Sequence, residues 1–196
     1  MYTSLTLASA SPRRKHLLEL SGLRFRVHPA QVEEHEEPSS PPDDTVLHNA
    51  AIKAAWVSER EPESLVLGSD TTVALETEVL HKPADMEEAR AMLRRLAGRS
   101  HTVYTGICLK GPAAGIDECH FVTSEVTFKP LTDADIDAYF QVVNPLDKAG
   151  AYGIQEGKEM IIAGLRGSLH NVMGLPTEFL LDLLERLNLL NALRTQ

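Results

Sequence analysis

The stretch Leu5-Thr6-Leu7-Ala8-Ser9-Ala10-Ser11-Pro12-Arg13-Arg14-Lys15 sets the pattern for this chain. A short apolar run suited to a strand stops at small hydroxyl residues, and three consecutive cations then open a helix. Ser11 is a good N-cap, and Pro12 fits the first helical position because it lacks the N–H that would go unsatisfied there. Leu17 and Leu18 continue the helix, and Ser21-Gly22 ends it with glycine at the residue after the cap. The helix start offers free N–H groups, a partial positive charge and nearby Arg and Lys heads, which suits a polyphosphate. A solvated basic turn has the same short sequence, so the stretch alone leaves both readings open.

Outward from this unit, strands alternate with helices. Residues 33–44 are acidic and proline-rich, hence a loop, and Thr45 to Arg60 is helical, with Leu47, Ala50, Ala51, Ala54 and Val57 on one side. Leu65-Val66-Leu67-Gly68 is a short strand ending at Ser69-Asp70, and Thr71–Leu75 with Val79-Leu80 form a hairpin. Asp85 caps a helix from Met86 to Ala97, with Glu88 completing a capping-box pattern and Gly98 ending it. His101–Leu109 and Phe121–Phe128 are β-rich, and Thr132 begins a helix to Val143. Pro145–Gln155 is loop, Glu159–Leu165 a strand, and Pro176 opens a leucine-rich helix to Leu190. The expected fold class is α/β, with a mixed sheet because hairpins accompany the βα units.

The 196 residues are enough for a real core, and 43% hydrophobic with 24% charged residues is ordinary for a globular protein. A net charge of −9 argues against nucleic-acid binding, so the cations at 13–15 read as a focused anion site. No run approaches the length of a membrane span, and the N-terminus does not read as a signal peptide. Cys108 and Cys119 lack C-x-x-C spacing and are expected as two inert thiols, making a reducing cytoplasm the simplest setting.

Asp70, between two strands, is expected at a strand end, where α/β proteins commonly place their sites; an aspartate after Gly-Ser is equally a turn former. Lys53 sits mid-helix among small alanines that permit close packing, although a snorkelling lysine is the commoner reading of one such residue. Lys82 precedes Pro83 at the end of the hairpin. The histidines show no zinc spacing, and P-loop, nucleophile-elbow and dinucleotide fingerprints are absent. A hard-cation site built from Glu33, Glu34 and Asp70 with substrate phosphates stays open. Trp56 reads as core.

The combination is more specific than its parts. Ser9-x-Ser11-Pro12-Arg13-Arg14, Val32-Glu33-Glu34, Asn49-Ala50-Ala51-Ile52-Lys53-Ala54, Gly68-Ser69-Asp70-Thr71 and His81-Lys82-Pro83 resemble the Maf family of nucleoside triphosphate pyrophosphatases. Thr102–Gly106, Asp147–Gln155 and Gly174-Leu175-Pro176 extend the match in order over roughly residues 5 to 185. The resemblance implies a single Maf-like domain over residues 1–196, with a mixed twisted sheet and two lobes around a cleft (Maf/ITPase-like), and favours a homodimer; the cytoplasmic setting rests on the cysteines.

It also implies hydrolysis of a nucleoside triphosphate to the monophosphate and pyrophosphate with a divalent cation, Mg²⁺ or Mn²⁺. The family base falls on Asp70, which would deprotonate water for attack at the α-phosphorus. The substrate-binding serines and arginines of the first motif fall on Ser9, Ser11, Arg13 and Arg14, and the family lysines on Lys53 and Lys82. The family carboxylate falls on Glu34, with Glu33 as the alternative; Glu34 and Asp70 would hold the metal. Arg13, Thr71 and Gln155 resemble the branch acting on UTP and dTTP, whereas the 7-methyl-GTP branch carries Trp, Gln and Glu there. A Gln amide offers a donor and an acceptor to a uracil edge, whereas Glu suits the N–H groups of guanine and Trp stacks on a cationic methylated ring. The alternatives are the same reaction on 7-methyl-GTP, or a non-enzymatic regulator of cell division, a role also associated with the family. Glu156-Gly157-Lys158-Glu159-Met160 is more charged than the family pattern.

Overall fold

The computed structural model describes residues 2–35 and 40–194. Strand β1 (Leu5–Leu7) leads into helix α1 (Pro12–Leu20), capped by Ser11, and Gly22 takes the positive φ expected after a helix end. Strand β2 (Phe25–Val27) is followed by helix α2 (Pro42–Arg60). Of the acidic loop expected over 33–44, residues 36–39 lie outside the described part, and Pro42–Asp44 are helical instead. Proline at the helix start, with Asp43 and Asp44 in the positively polarised first turn, extends α2 upstream of Thr45.

Strand β3 (Leu65–Leu75) turns into β4 (Glu78–Leu80), and α3 (Met86–Leu96) follows with Asp85 as its cap. Strands β5 (Ser100–Gly111) and β6 (Ile116–Phe128) form a long hairpin, and α4 (Asp133–Phe140) ends earlier than expected. A helical turn, α5 (Lys158–Ile161), replaces the first part of the strand expected from Glu159, and β7 (Ile162–Arg166) supplies the rest. After α6 (Leu169–Val172), the C-terminal leucine-rich segment divides. Asn188 at φ 58° separates α7 (Thr177–Arg186) from α8 (Leu190–Leu193).

The sheet order is β2-β1-β3-β5-β6-β7. β1 runs parallel to β2 and β3, and the remaining pairs are antiparallel, which is the mixed sheet expected. Contrary to expectation, Asp70 lies in mid-strand. β3 runs unbroken through Ser69-Asp70 because β5 pairs with it from Val66 to Ala74, and this ladder overrides the local turn preference. The strand end near Asp70 belongs to its neighbour. β1 pairs with Leu65–Leu67 and β4 with Val73–Leu75 on the edge opposite β5, leaving Gly68–Thr72 without a strand on that side.

Apolar residues pack on both sides of this gap. Leu5, Leu7, Leu17, Leu65, Ile107 and Leu184 form one core, while Val73, Leu80, Leu93, Phe128, Tyr139 and Tyr152 form another, giving two lobes. Between them α2 lies close against the sheet over Ala50, Ala54, Val57, Val66 and Cys108. Two glycines set that distance. A Cβ on Gly68 would come within 2.1 Å of the Ala50 carbonyl oxygen, and one on Gly106 within 2.3 Å of the Val46 carbonyl oxygen. Backbone cannot move aside as a side chain can, so Gly68→Ala is expected to destabilise by about 1–3 kcal/mol, read by urea unfolding. An unchanged midpoint would mean that α2 shifts freely.

Cys108 and Cys119 overturn the expectation of two free thiols. They face each other in the β5–β6 register with Cα atoms 4.1 Å apart and form a disulfide. Sequence separation hid a pairing that the hairpin register creates, and the argument for a reducing compartment from free thiols lapses. Among the described residues no helix is long and apolar enough to cross a membrane.

Candidate active site

The gap along Gly68–Thr72 opens into a cleft of about 460 Å³ between the two lobes. Strand alternation sends Asp70 to the α2 face of the sheet and Thr71 to the α1 face, so the site straddles the open edge of β3.

On the α1 face, Ser11 Oγ accepts from the Arg14 N–H at 3.5 Å, tying the turn to the helix start. The Arg14 guanidinium donates from Nε to the Gly174 carbonyl at 2.8 Å, from Nη1 to Ser9 Oγ at 3.0 Å and from Nη2 to Thr71 Oγ1 at 3.0 Å. These acceptors are neutral. They fix the guanidinium without cancelling its charge and leave part of its donor fork for a ligand. Burial lowers the Arg14 pKa, while the charges of Asp70 and Glu34 oppose that shift. Thr71 also meets Thr105 Oγ1 at 3.0 Å, so its hydroxyl supports Arg14.

On the α2 face, the i,i+4 spacing of Asn49 and Lys53 puts both side chains over Asp70. Lys53 Nζ donates to Asp70 Oδ1 at 2.8 Å and lies 3.0 Å from Glu34 Oε1; Asn49 Nδ2 donates to Asp70 Oδ2 at 3.1 Å. Asn49, Lys53 and Asp70 are all buried, at 2%, 7% and 8% exposure, while Glu34 is exposed. Glu34 lines the cleft and Glu33 does not.

The far wall comes from the loop before α5. Arg13 Nη1 reaches Asp147 Oδ2 at 3.8 Å across the cleft mouth, and buried Lys148 donates to Asp147 Oδ1 and to the Asn144 carbonyl, each at 2.8 Å. The Tyr139 hydroxyl accepts from the Gly153 N–H at 3.0 Å and donates to the Gly153 carbonyl at 3.2 Å, holding the backbone two residues before Gln155. Gln155 itself is exposed at the rim. Beneath this wall, His101 Nε2 lies 2.7 Å from the Tyr152 hydroxyl, and burial pushes the imidazole down to about 4, so it is neutral at physiological pH. Lys82 lines the cleft exposed and makes no hydrogen bond or ion pair among the described residues, which leaves its ammonium available to an anion.

All the expected site residues therefore meet in one cleft: Ser9, Ser11, Arg13 and Arg14 from the first turn, and Glu34, Lys53, Asp70, Thr71, Lys82 and Gln155 around it. The sequence reading missed Asn49 and Lys148. Both stand inside quoted motifs, and the available signal was a polar residue one turn from Lys53 and a lysine within Asp147–Gln155.

The profile of the family described as Maf-like protein matches residues 4–187. The chain belongs to the Maf family. Among its Maf relatives, a protein of Akkermansia muciniphila is 46% identical over 96% of this chain and 97% of its own length. One of Myxococcus xanthus is 46% identical over 95% and 94%, and one of Bacillus anthracis is 40% identical over 94% and 96%. Each of these is named a dTTP/UTP pyrophosphatase. A looser likeness is to the solved structure of the Staphylococcus aureus Ham1 protein, with a TM-score of 0.47 and 14% identity over 64% of this chain and 71% of that one.

Proposed function

We propose that this Maf chain hydrolyses dTTP and UTP to the nucleoside monophosphate and pyrophosphate. The observation that carries the reading is the Asp70 carboxylate, held on one oxygen by Lys53 and on the other by Asn49 in a cleft that also presents Arg14 and Lys82. Each carboxylate oxygen keeps a lone pair beyond these bonds, so Asp70 can still take a proton. It removes one from water as the water oxygen bonds to the α-phosphorus, and the bond from that phosphorus to the bridging oxygen breaks to release pyrophosphate. Arg14, Lys82, Ser9, Ser11 and the start of α1 hold the phosphates and offset the charge that grows on the departing group.

The carboxylates also fit a divalent cation, Mg²⁺ or Mn²⁺. Glu34 and Asp70 converge on one cationic centre, Lys53 Nζ, at 3.0 and 2.8 Å, and both are oxygen donors. Hard cations are commonly held by one or two carboxylates together with substrate phosphates, which matches a pair and not a closed cage. When bound, such an ion neutralises phosphate charge and stabilises the leaving group.

Arg13, Thr71 and Gln155 favour the pyrimidine substrates over 7-methyl-GTP, in agreement with the names of the relatives. The test offers UTP, dTTP and 7-methyl-GTP to the purified chain with Mg²⁺ or Mn²⁺ and separates pyrophosphate from orthophosphate. Pyrophosphate is expected as the first product, with the pyrimidines preferred. Orthophosphate first, or no turnover of either pyrimidine nucleotide, sinks the reading.

A further inference from the structure

The amide of Asn49 makes three contacts that join two parts of the site. Its Oδ1 accepts from the His35 N–H at 2.8 Å, while Nδ2 donates to the His35 carbonyl and to Asp70 Oδ2, each at 3.1 Å. The amide orientation follows from these partners. A backbone N–H can only donate, so the atom facing it is the oxygen, and the nitrogen's two hydrogens then meet two acceptors.

We infer that Asn49 is a positioning residue that locks the Glu34 segment and the Asp70 carboxylate into one unit. This rests on the reading of Asp70 and Glu34 given above. Asparagine is a poor helix former, and an apolar residue would suit the buried face of α2 better, so the residue earns its place through its bonds. Apart from this clamp the segment is held by side chains: the His35 ring lies 3.0 Å from Ser40 Oγ and meets the His48 ring, and Glu34 reaches Lys53. After the His28 N–H bonds the Leu7 carbonyl, no backbone–backbone hydrogen bond is made from Pro29 to Glu34 among the described residues.

Asn49 clamps His35 on both its N–H and its C=O, and Glu34 next to it then reaches Lys53. The same amide fixes the Asp70 oxygen that Lys53 does not hold. One side chain thus sets both the spacing between the two carboxylates and the plane of one of them. Gly68 and Gly106 contribute by letting α2 come close enough for an asparagine to span the distance.

The test compares Asn49→Ala and Asn49→Asp in the full chain, reading kcat and KM for UTP, thermal unfolding, and amide hydrogen exchange over residues 33–35. Partners that orient reactive or metal-holding groups typically contribute about 10–100-fold, so Asn49→Ala is expected to lose that factor in kcat, with KM changed by less than about threefold. Exchange at 33–35 should rise while α2 and β3 stay protected. Asn49→Asp keeps an acceptor for the His35 N–H but sets a carboxylate against both Asp70 and the His35 carbonyl. It should keep His35 protected and lose at least as much kcat.

A folded Asn49→Ala variant with kcat within about threefold of wild type overturns the inference. Loss of protection throughout α2 and β3 with unchanged kcat per folded molecule also overturns it, since that marks a purely structural residue; so does failure of both variants to fold. Should Asn49→Ala alone fail to fold, Asn49→Asp decides: lost kcat with a protected His35 supports the inference, and normal kcat overturns it. The Asp70 reading fails separately, through an active Asp70→Asn enzyme, whereas the exchange data report on the clamp alone.

Discussion

Asp70→Asn should lower kcat for UTP by about 10²–10⁴-fold, the contribution typical of a general base, while leaving a folded protein. The neighbourhood of Asp70 makes the second half of that statement specific. Both of its partners, Lys53 Nζ and Asn49 Nδ2, are donors. An amide introduced there must turn its own NH₂ toward one of them, and repulsion from the ammonium directs it toward Asn49. The oxygen then stays with Lys53, whose charge is still balanced by Glu34 at 3.0 Å. One buried hydrogen bond is lost, at a cost of about 1–3 kcal/mol visible in urea unfolding and too small to unfold an ordinary domain. Circular dichroism should match wild type. A variant that kept near-normal kcat would make Asp70 a structural tie for α2, and the water would need another base.

The chemistry of the cleft was more legible in the sequence than its geometry. The strand–turn–helix opening, the Asp85 and Thr132 caps and the Gly22 and Gly98 helix ends all rest on local chemistry, and local chemistry is what a sequence states directly. The position of Asp70 depends on β5, a partner distant in the chain that pairs straight through a local turn signal. The Cys108–Cys119 disulfide depends on hairpin register in the same way. The alanines around Lys53 did announce a closely packed helix, but the glycines that receive it, Gly68 and Gly106, are on two different strands. Asn49 escaped notice because its importance lies in three partners from two distant segments. Arg14, Lys53 and Lys82 stood out as residues but had ordinary solvated readings beside the functional one, and the family resemblance gave them their roles; Ser9 and Gln155 were recognised through the resemblance alone.

Base choice is the second place where a single side chain is expected to matter greatly, and the structure refines how. Thr71 touches Arg14 and Thr105, so the proposed influence of Thr71 on selectivity would run through the position of the guanidinium. Gln155 and Arg13 stand at the rim, where a base would cover them. Gln155→Glu replaces an amide donor by a carboxylate oxygen facing uracil O4, leaving two acceptors opposed. Because Gln155 is exposed before substrate arrives, the loss should fall toward the lower part of the range for a mismatched polar pair. About 1–2 kcal/mol, or roughly 5- to 30-fold in kcat/KM for UTP, is expected. Adding Arg13→Trp removes the long 3.8 Å contact between half-buried Arg13 and exposed Asp147, a pair worth little, and offers a ring on which a cationic methylated guanine can stack. The Glu carboxylate at the same time accepts from guanine N1–H and N2–H. The ratio of kcat/KM for UTP to that for 7-methyl-GTP should therefore fall in the single variant and fall further in the double. In Gln155→Glu, which leaves every cation of the cleft in place, the shift should be carried by nucleoside recognition, so inhibition by tripolyphosphate, which has no base, should stay close to wild type. An unchanged ratio in both variants would mean that these side chains do not read the base. A parallel loss of tripolyphosphate affinity in Gln155→Glu would place its effect on the phosphate site instead.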